Sequence, residues 1–162
     1  MSSGQILVAE HSGTYVIRLL GDVRLTLCIS FDQFIESMFL DEGRLHSVLF
    51  DLQEVQGIDS TTLGLMAKIS IGARQRGLPN PLVITSNASI RRLLVSMGFE
   101  DIFTIVSNAE LPFNGSEPLK EDLGDENEVK ARVLEAHQIL MDLNQPNAVK
   151  FHELVETLRN KR

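Results

Sequence analysis

The stretch that decides the fold is residues 46–66, which read HSVLFDLQEVQGIDSTTLGLM. A short apolar run, Val48-Leu49-Phe50, ends at Asp51 and is typical of a central strand covered on both sides. After a loop, Asp59-Ser60-Thr61-Thr62 opens a segment with apolar residues at helical spacing. Asp, Ser and Thr are preferred at helix N-caps, because their side-chain oxygens accept hydrogen bonds from unpaired backbone N–H groups. The stretch therefore predicts a strand, a loop and a helix.

The adjacent hydroxyls at this exposed helix start have two interpretations. In the commoner one they cap the helix and have no other role. In the other they carry a phosphate, which the free N–H groups and the positive end of the helix dipole would favour. The spacing alone favours the cap.

Strand and helix patterns alternate on both sides of this stretch. Residues 5–10 and 14–20 predict two strands, with Gly21-Asp22 ending the second, and apolar spacing predicts a helix from Cys28 to a stop at 41–43. The other predicted elements are a strand over 48–51, a helix over 61–76, a strand over 82–85, a helix from 87 or 89 to 97, and a strand over 102–106. The order β-β-α-β-α-β-α-β predicts an α/β fold with a mostly parallel sheet covered by helices.

The last third of the chain differs in composition. Residues 107–126 hold Pro, Gly and six acidic residues against one basic residue, Lys120. We therefore predict an acidic, mobile linker between a body of residues 1–106 and an extension of residues 127–162. Two apolar stripes, separated by residues 144–147, predict a helical hairpin in the extension. The hairpin either packs back on its own body or serves self-association or contact with a partner.

Composition and charge exclude several classes of function. The 162 residues carry a formal net charge of −7 and lack the clustered Lys and Arg of a nucleic-acid interface. The single cysteine, Cys28, cannot form a disulfide within the chain and is expected in the core. No segment approaches ~18 consecutive apolar residues, and the N-terminus lacks a signal-peptide pattern. We expect a cytoplasmic protein with no membrane span.

Motifs for metal binding and catalysis are missing from the sequence. The histidines, His11, His46, His137 and His152, lie far apart and lack a metal-binding spacing. Neither a Gly-rich phosphate loop nor a nucleophile elbow is present. We expect no metal, no cofactor and no enzymatic activity.

Three stretches together resemble the STAS domain family of bacterial anti-sigma factor antagonists. Asp51-Leu52 and residues 59–64, DSTTLG, resemble the family's signature of a strand ending in Asp-Leu followed by Asp-Ser-Ser/Thr-Gly-Leu-Gly. Gly21-Asp22-Val23 resembles the family's turn after the second strand, and residues 91–103, RRLLVSMGFEDIF, resemble its last helix, glycine stop and edge strand. The resemblance covers roughly residues 5–106, and the family usually has glycine where this chain has Thr62.

The resemblance implies a phosphorylation switch. The second hydroxyl of the family's pair is the phosphate acceptor, which corresponds to Thr61, with Ser60 as the alternative. The implied partner-binding residues are Asp22, Asp59, Ser60, Thr61, Thr62 and Gly64. The unphosphorylated form would bind an anti-sigma factor that is also a serine/threonine switch kinase and so release a sigma factor. Phosphorylation would block binding, and a PP2C-type phosphatase would restore it.

A second interpretation comes from another functional class. The chain could be a non-switching STAS subunit of a larger assembly, such as a sensory or lipid-transport complex. Thr62 and the C-terminal hairpin keep this alternative open.

Overall fold

The computed structural model describes residues 3–41, 43–113 and 115–160. Its strands are β1 (Gln5–His11), β2 (Thr14–Val23), β3 (Ser47–Ile58), β4 (Leu82–Ile84), β5 (Thr104–Val106) and β6 (Glu117–Pro118). Its α-helices are α1 (Cys28–Leu40), α2 (Ser60–Gln75), α3 (Ala88–Ser96), α4 (Glu126–Leu143) and α5 (Gln145–Asn160). Short 3-10 turns at Leu25–Leu27 and Phe99–Asp101 precede α1 and β5. The predicted α/β order is confirmed.

One mixed sheet holds the described strands in the order β5-β4-β3-β2-β1-β6. The pairs β2–β3, β3–β4 and β4–β5 are parallel, whereas β1 is antiparallel to both β2 and β6. The prediction of a largely parallel sheet is confirmed. Parallel pairing places the C-terminal ends of β2 and β3 at one edge, beside the start of α2.

Two strands extend beyond their predicted ends. Gly21-Asp22 lies inside β2 and does not form a turn, because Gly21 with φ 69° takes up an irregularity in the pairing with β3. The predicted end of β3 at Asp51 is also wrong: β3 runs on to Ile58. The polar residues 53 and 54 predicted a loop, but buried Val55 and Ile58 hold this part of the strand against the core.

The helices cover one face of the sheet. Large buried side chains of β2 and β3, such as Ile17 and Phe50, join those of the helices in one core cluster. The opposite face carries Val16, Leu49 and Ile84, which pack with Leu111 and Phe113 from the segment after β5. Cys28 is buried, as predicted, and burial raises the pKa of its thiol.

The C-terminal segment packs against this body. Within the segment predicted as a linker, β6 pairs with β1, and the Leu119 N–H donates to the Ile6 carbonyl at 2.9 Å. Helices α4 and α5 form the predicted hairpin, but the break between them is shorter than residues 144–147. Asn144 alone lies outside both helices, and its Oδ1 accepts from the Asn147 N–H at 2.9 Å.

The hairpin packs on its own chain. Ala136, Leu140 and Phe151 belong to the same core cluster as the sheet and α2. This packing matches the first of the two alternatives left by the sequence. The division into a body that folds without the hairpin stays a prediction, which truncation would test.

Candidate functional site

Asp59 fixes the start of α2. Its Oδ1 accepts from the Thr62 N–H at 2.9 Å, which is the predicted N-cap. Its Oδ2 accepts from the Leu25 N–H at 2.7 Å, and its own N–H donates to the Val23 carbonyl at 3.1 Å. One side chain thereby joins the helix start to the turn before α1 and to the end of β2.

Asp22 lies at the same edge of the sheet. It pairs across the β2–β3 ladder with Gly57, and a β-carbon on Gly57 would lie 2.8 Å from the Asp22 Oδ1. The Asp22 Oδ2 accepts from the Arg24 Nε at 2.8 Å. The two acidic residues that the sequence predicted, Asp22 and Asp59, thus lie close to the C-terminal ends of β2 and β3, where α2 begins.

The hydroxyls at the helix start are less accessible than the sequence suggested. Ser60 is half-buried, whereas Thr61 and Thr62 are only 3% and 2% exposed. The expectation of an exposed helix start is therefore wrong for both threonines. A phosphate adds roughly −1.5 to −2 charges and needs water or cationic partners, so Thr61 requires local movement before it can be modified.

Helix α4 covers the first two turns of α2. Residues 60, 64 and 68 lie one turn apart on a single face, and each contacts α4. Ser60 Oγ lies 2.7 Å from His137 Nε2, and Lys68 Nζ donates to Glu135 Oε1 at 2.9 Å. Between them, a β-carbon on Gly64 would lie 2.3 Å from the Ala136 carbonyl oxygen. Gly64 therefore lets the two helix backbones approach closely.

His137 is held in one orientation. Its Nδ1 lies 2.7 Å from the Val133 carbonyl oxygen, which can only accept, so Nδ1 carries a proton. In the neutral ring Nε2 then accepts from the Ser60 O–H. The His137 side chain is 2% exposed and packs edge-on against Phe151 at 5.1 Å between centroids. The hairpin therefore holds the Ser60 hydroxyl in place through His137 of α4.

A buried carboxylate joins α1, α2 and α4. Asp32 is 2% exposed and accepts from Lys68 Nζ at 2.7 Å and from Arg132 Nε at 3.1 Å. Burial alone would lower the pKa of Lys68, but hydrogen bonds with Asp32 and Glu135 outweigh it, so the pKa is raised.

Sequence reasoning missed Asp32, Lys68, Arg132, Glu135 and His137. An acidic residue among the apolar positions of α1 was the one available signal. Its partners come from helices 36 and 100 residues further along the chain. No local pattern shows that these side chains meet.

Residues 3–41, 43–113 and 115–160 hold neither a metal-binding cluster nor a membrane-spanning helix. No group of three or more His, Cys, Asp and Glu side chains in this part of the chain is arranged to hold a metal ion. None of its helices combines the length and the apolar content that crossing a bilayer requires.

The family comparison covers the body of the chain and ends before the hairpin. A family model described as STAS domain matches residues 5–111, which is more than half of the chain. No curated protein sequence matches this chain closely.

Two of the solved structures that share the fold are anti-sigma factor antagonists. The first is an anti-sigma factor antagonist from Mycobacterium paratuberculosis, with 20% identity and a TM-score of 0.52 over 65% of this chain and 87% of that one. The second is the anti-sigma factor antagonist SpoIIAA in its unphosphorylated form, with 14% identity and a TM-score of 0.55 over 64% of this chain and 89% of that one.

Proposed function

The chain belongs to the STAS domain family, and on this premise we propose that it is an anti-sigma factor antagonist. It is a binding protein, with no catalytic step of its own, that captures an anti-sigma factor and so releases a sigma factor. One observation carries the proposal. The family's Asp-Ser-hydroxyl sequence caps α2 at the edge where β2 and β3 end, beside Asp22. Both structural neighbours are anti-sigma factor antagonists, which supports the proposal.

The proposed switch is phosphorylation at the start of α2. The acceptor is Thr61, with Ser60 as the alternative, the donor is ATP bound to the anti-sigma kinase, and a PP2C-type phosphatase removes the phosphate. Once local movement exposes Thr61, the dipole at the helix N-terminus favours the added charge, and the same charge opposes docking of a partner there. A loss of ~2–4 kcal/mol in binding free energy corresponds to about 30- to 1,000-fold in affinity.

Two measurements test the proposal. Purified full chain is titrated, one at a time, with the anti-sigma factors of the source genome, and one of them is expected to bind. Phosphopeptide mapping after incubation with that partner and ATP is expected to place the phosphate on Thr61. Phosphate on Ser60 alone would move the acceptor by one residue. No binding of any anti-sigma factor, either to the full chain or to its Ala136→Glu variant, would refute antagonism.

The second candidate function is a non-switching STAS subunit of a larger assembly. The burial of Thr61 and Thr62 favours it, because a modified hydroxyl has to be reached by a kinase. This alternative predicts that no kinase places a phosphate on residues 60–62. It also predicts that the chain stays in a stable complex with the same partners whether or not a kinase and ATP are present. Phosphopeptide mapping therefore separates the two candidates.

A further inference from the structure

We propose that the α4–α5 hairpin is an intramolecular cover of the partner-binding surface, so that this chain has to open before an anti-sigma factor can bind. The inference rests on the proposed function and adds its regulation. The cover would make partner binding depend on hairpin release as well as on phosphate.

The first support is positional overlap. Ser60 and Gly64 belong to the sequence expected to meet the partner, and α4 already occupies both through His137 and the Ala136 backbone. The side chain of Ala136 is fully buried. A partner helix or loop cannot approach Gly64 while Ala136 is seated on it, because two backbones cannot share one contact surface.

The second support is the chemistry of the cover. Beside its apolar contacts, α4 makes polar contacts with the body from His137 to Ser60, from Glu135 to Lys68, and from Arg132 to Asp32. Asp32, Lys68 and Ser60 stay with the body when the hairpin leaves. A partner that brings hydrogen-bonding and charged groups to the same positions can replace those contacts.

A third observation that supports the proposal is a buried side chain with an unsatisfied acceptor near the junction of α4 and α5. Asn147 is fully buried, and its Nδ2 donates to the Met97 and Leu140 carbonyls at 2.9 Å each. Its Oδ1 has no hydrogen-bond partner within the described part of the chain. A buried acceptor without a partner weakens the docked state relative to an open one in which water reaches it.

The fourth support is the connection. The family match ends at residue 111 and α4 begins at Glu126, so the cover lies outside the family body. Residues 121–125 between β6 and α4 are exposed. Gly124 in this segment lies against Ile29 of α1, so the hairpin would swing away on residues 121–123 and take Gly124 with it, while β6 stays paired with β1.

The expected size of the effect follows from a two-state equilibrium. A binding-competent form populated to ~1–10% raises the apparent dissociation constant about 10- to 100-fold over that of the open chain. Opening the hairpin by mutation is expected to recover that factor.

The test uses the full chain with Ala136→Glu, which places a carboxylate against Gly64 and the α2 backbone. The matched control is Ala131→Glu, the same change at an exposed position of the same helix. Hydrogen exchange is followed in α4 and in β2 and β3, and each protein is titrated with the anti-sigma factors of the source genome. We expect Ala136→Glu to speed exchange in α4 but not in the strands, and to bind about 10- to 100-fold tighter than wild type or the control.

The outcomes separate the two proposals. If the hairpin of Ala136→Glu is open but its affinity for the anti-sigma factor is unchanged, the hairpin is not a cover, and the proposed antagonism still stands. The same conclusion follows if α4 of the wild-type chain stays protected from hydrogen exchange in the complex. An open hairpin with no binding to any anti-sigma factor overturns the proposed function and this inference with it.

A second variant applies if Ala136→Glu fails to fold by circular dichroism. Arg132→Glu with Glu135→Lys sets like charges against Asp32 and Lys68 and leaves the net charge unchanged. This double variant is expected to open the hairpin by repulsion at its charged contacts. The outcomes given for Ala136→Glu then test the proposal in the same way.

Discussion

Asp59→Ala tests whether one carboxylate holds the edge of the molecule where the site lies. The substitution removes the acceptor of the Thr62 N–H at 2.9 Å and of the Leu25 N–H at 2.7 Å. The first bond caps α2, and the second holds the turn before α1. Asp59→Asn is the informative partner variant, because an amide oxygen still caps the helix whereas its NH2 group cannot accept from a second N–H.

The magnitudes follow from those two bonds. Loss of a helix N-cap costs about 0.5–2 kcal/mol, and loss of a further hydrogen bond to a charged acceptor costs about 1 kcal/mol or more. We expect Asp59→Ala to lower the free energy of unfolding by about 2–3 kcal/mol and Asp59→Asn by about 1–1.5 kcal/mol. At 2–4 °C per kcal/mol for a chain of this size, the melting temperature falls by about 4–12 °C for the alanine variant.

Urea and thermal unfolding followed by circular dichroism measure both losses. Asp125→Ala is the control, because Asp125 caps α4 through the Glu128 N–H at 2.8 Å and is exposed. It is expected to cost about 1 kcal/mol. Equal losses for Asp59→Ala and Asp125→Ala would refute the double role of Asp59. Equal losses for Asp59→Ala and Asp59→Asn would show that the bond to Leu25 and the charge, and not the cap, account for the stability.

Four further predictions follow from burial and charge. Asp32→Ala is expected to lower the free energy of unfolding in urea by about 2–3 kcal/mol, less than for a fully buried pair because its two cationic partners are about one-quarter exposed. The Cys28 thiol is expected to react slowly with a disulfide reagent, with a rate that still rises above pH ~8.5, because burial raises its pKa and the thiolate is the reactive form. Thr61→Glu is expected to weaken binding to the anti-sigma factor and to lower the melting temperature, because a position 3% exposed cannot hold a carboxylate without local opening. A chain ending at residue 125 is expected to keep the circular dichroism of a folded sheet at a lower melting temperature, and loss of that signal would make the hairpin part of the core.

The predictable part of this molecule is local or periodic. The N-cap at Asp59, the helix it starts and the strand before it follow from neighbouring residues, because capping and apolar spacing act over a few positions. The length of β3 did not follow, because residues 53 and 54 are consecutive, polar and exposed, and the buried positions after them, Val55 and Ile58, lie three residues apart and lack the period of two that predicts a strand. Glycine is typical both of turns and of irregularities within a strand. Only the pairing of β2 with β3 shows that Gly21 belongs to an irregularity and not to a turn.

The candidate site was predictable in composition but not in accessibility. The sequence places Asp59, Ser60 and Thr61 at one helix start, whereas the covering residues lie more than 70 residues away along the chain. The apolar stripe of α4 showed that one face has to be buried, but many faces of the body could accept it. Gly64 was the one local sign of a close approach, and its partner backbone comes from tertiary structure.

The connection between α4 and the body sets how strong a partner has to be. A short tether holds a docked element at an effective concentration in the mM range, so a free competitor at ~1 μM starts at a disadvantage of about a thousandfold. A thousandfold factor corresponds to about 4 kcal/mol of free energy. A tightly docked hairpin would have this advantage in addition to the free energy of its own contacts with the body. Competition at ordinary protein concentrations therefore needs a cover with weak contacts. The half-buried polar attachments of Ser60 and Lys68 are contacts of that kind. The Asn147 Oδ1, which has no hydrogen-bond partner within the described residues, weakens docking further. Asn147→Leu removes both the orphan acceptor and the donated bonds to Met97, so its effect on α4 hydrogen exchange measures which of the two dominates the docking of this hairpin.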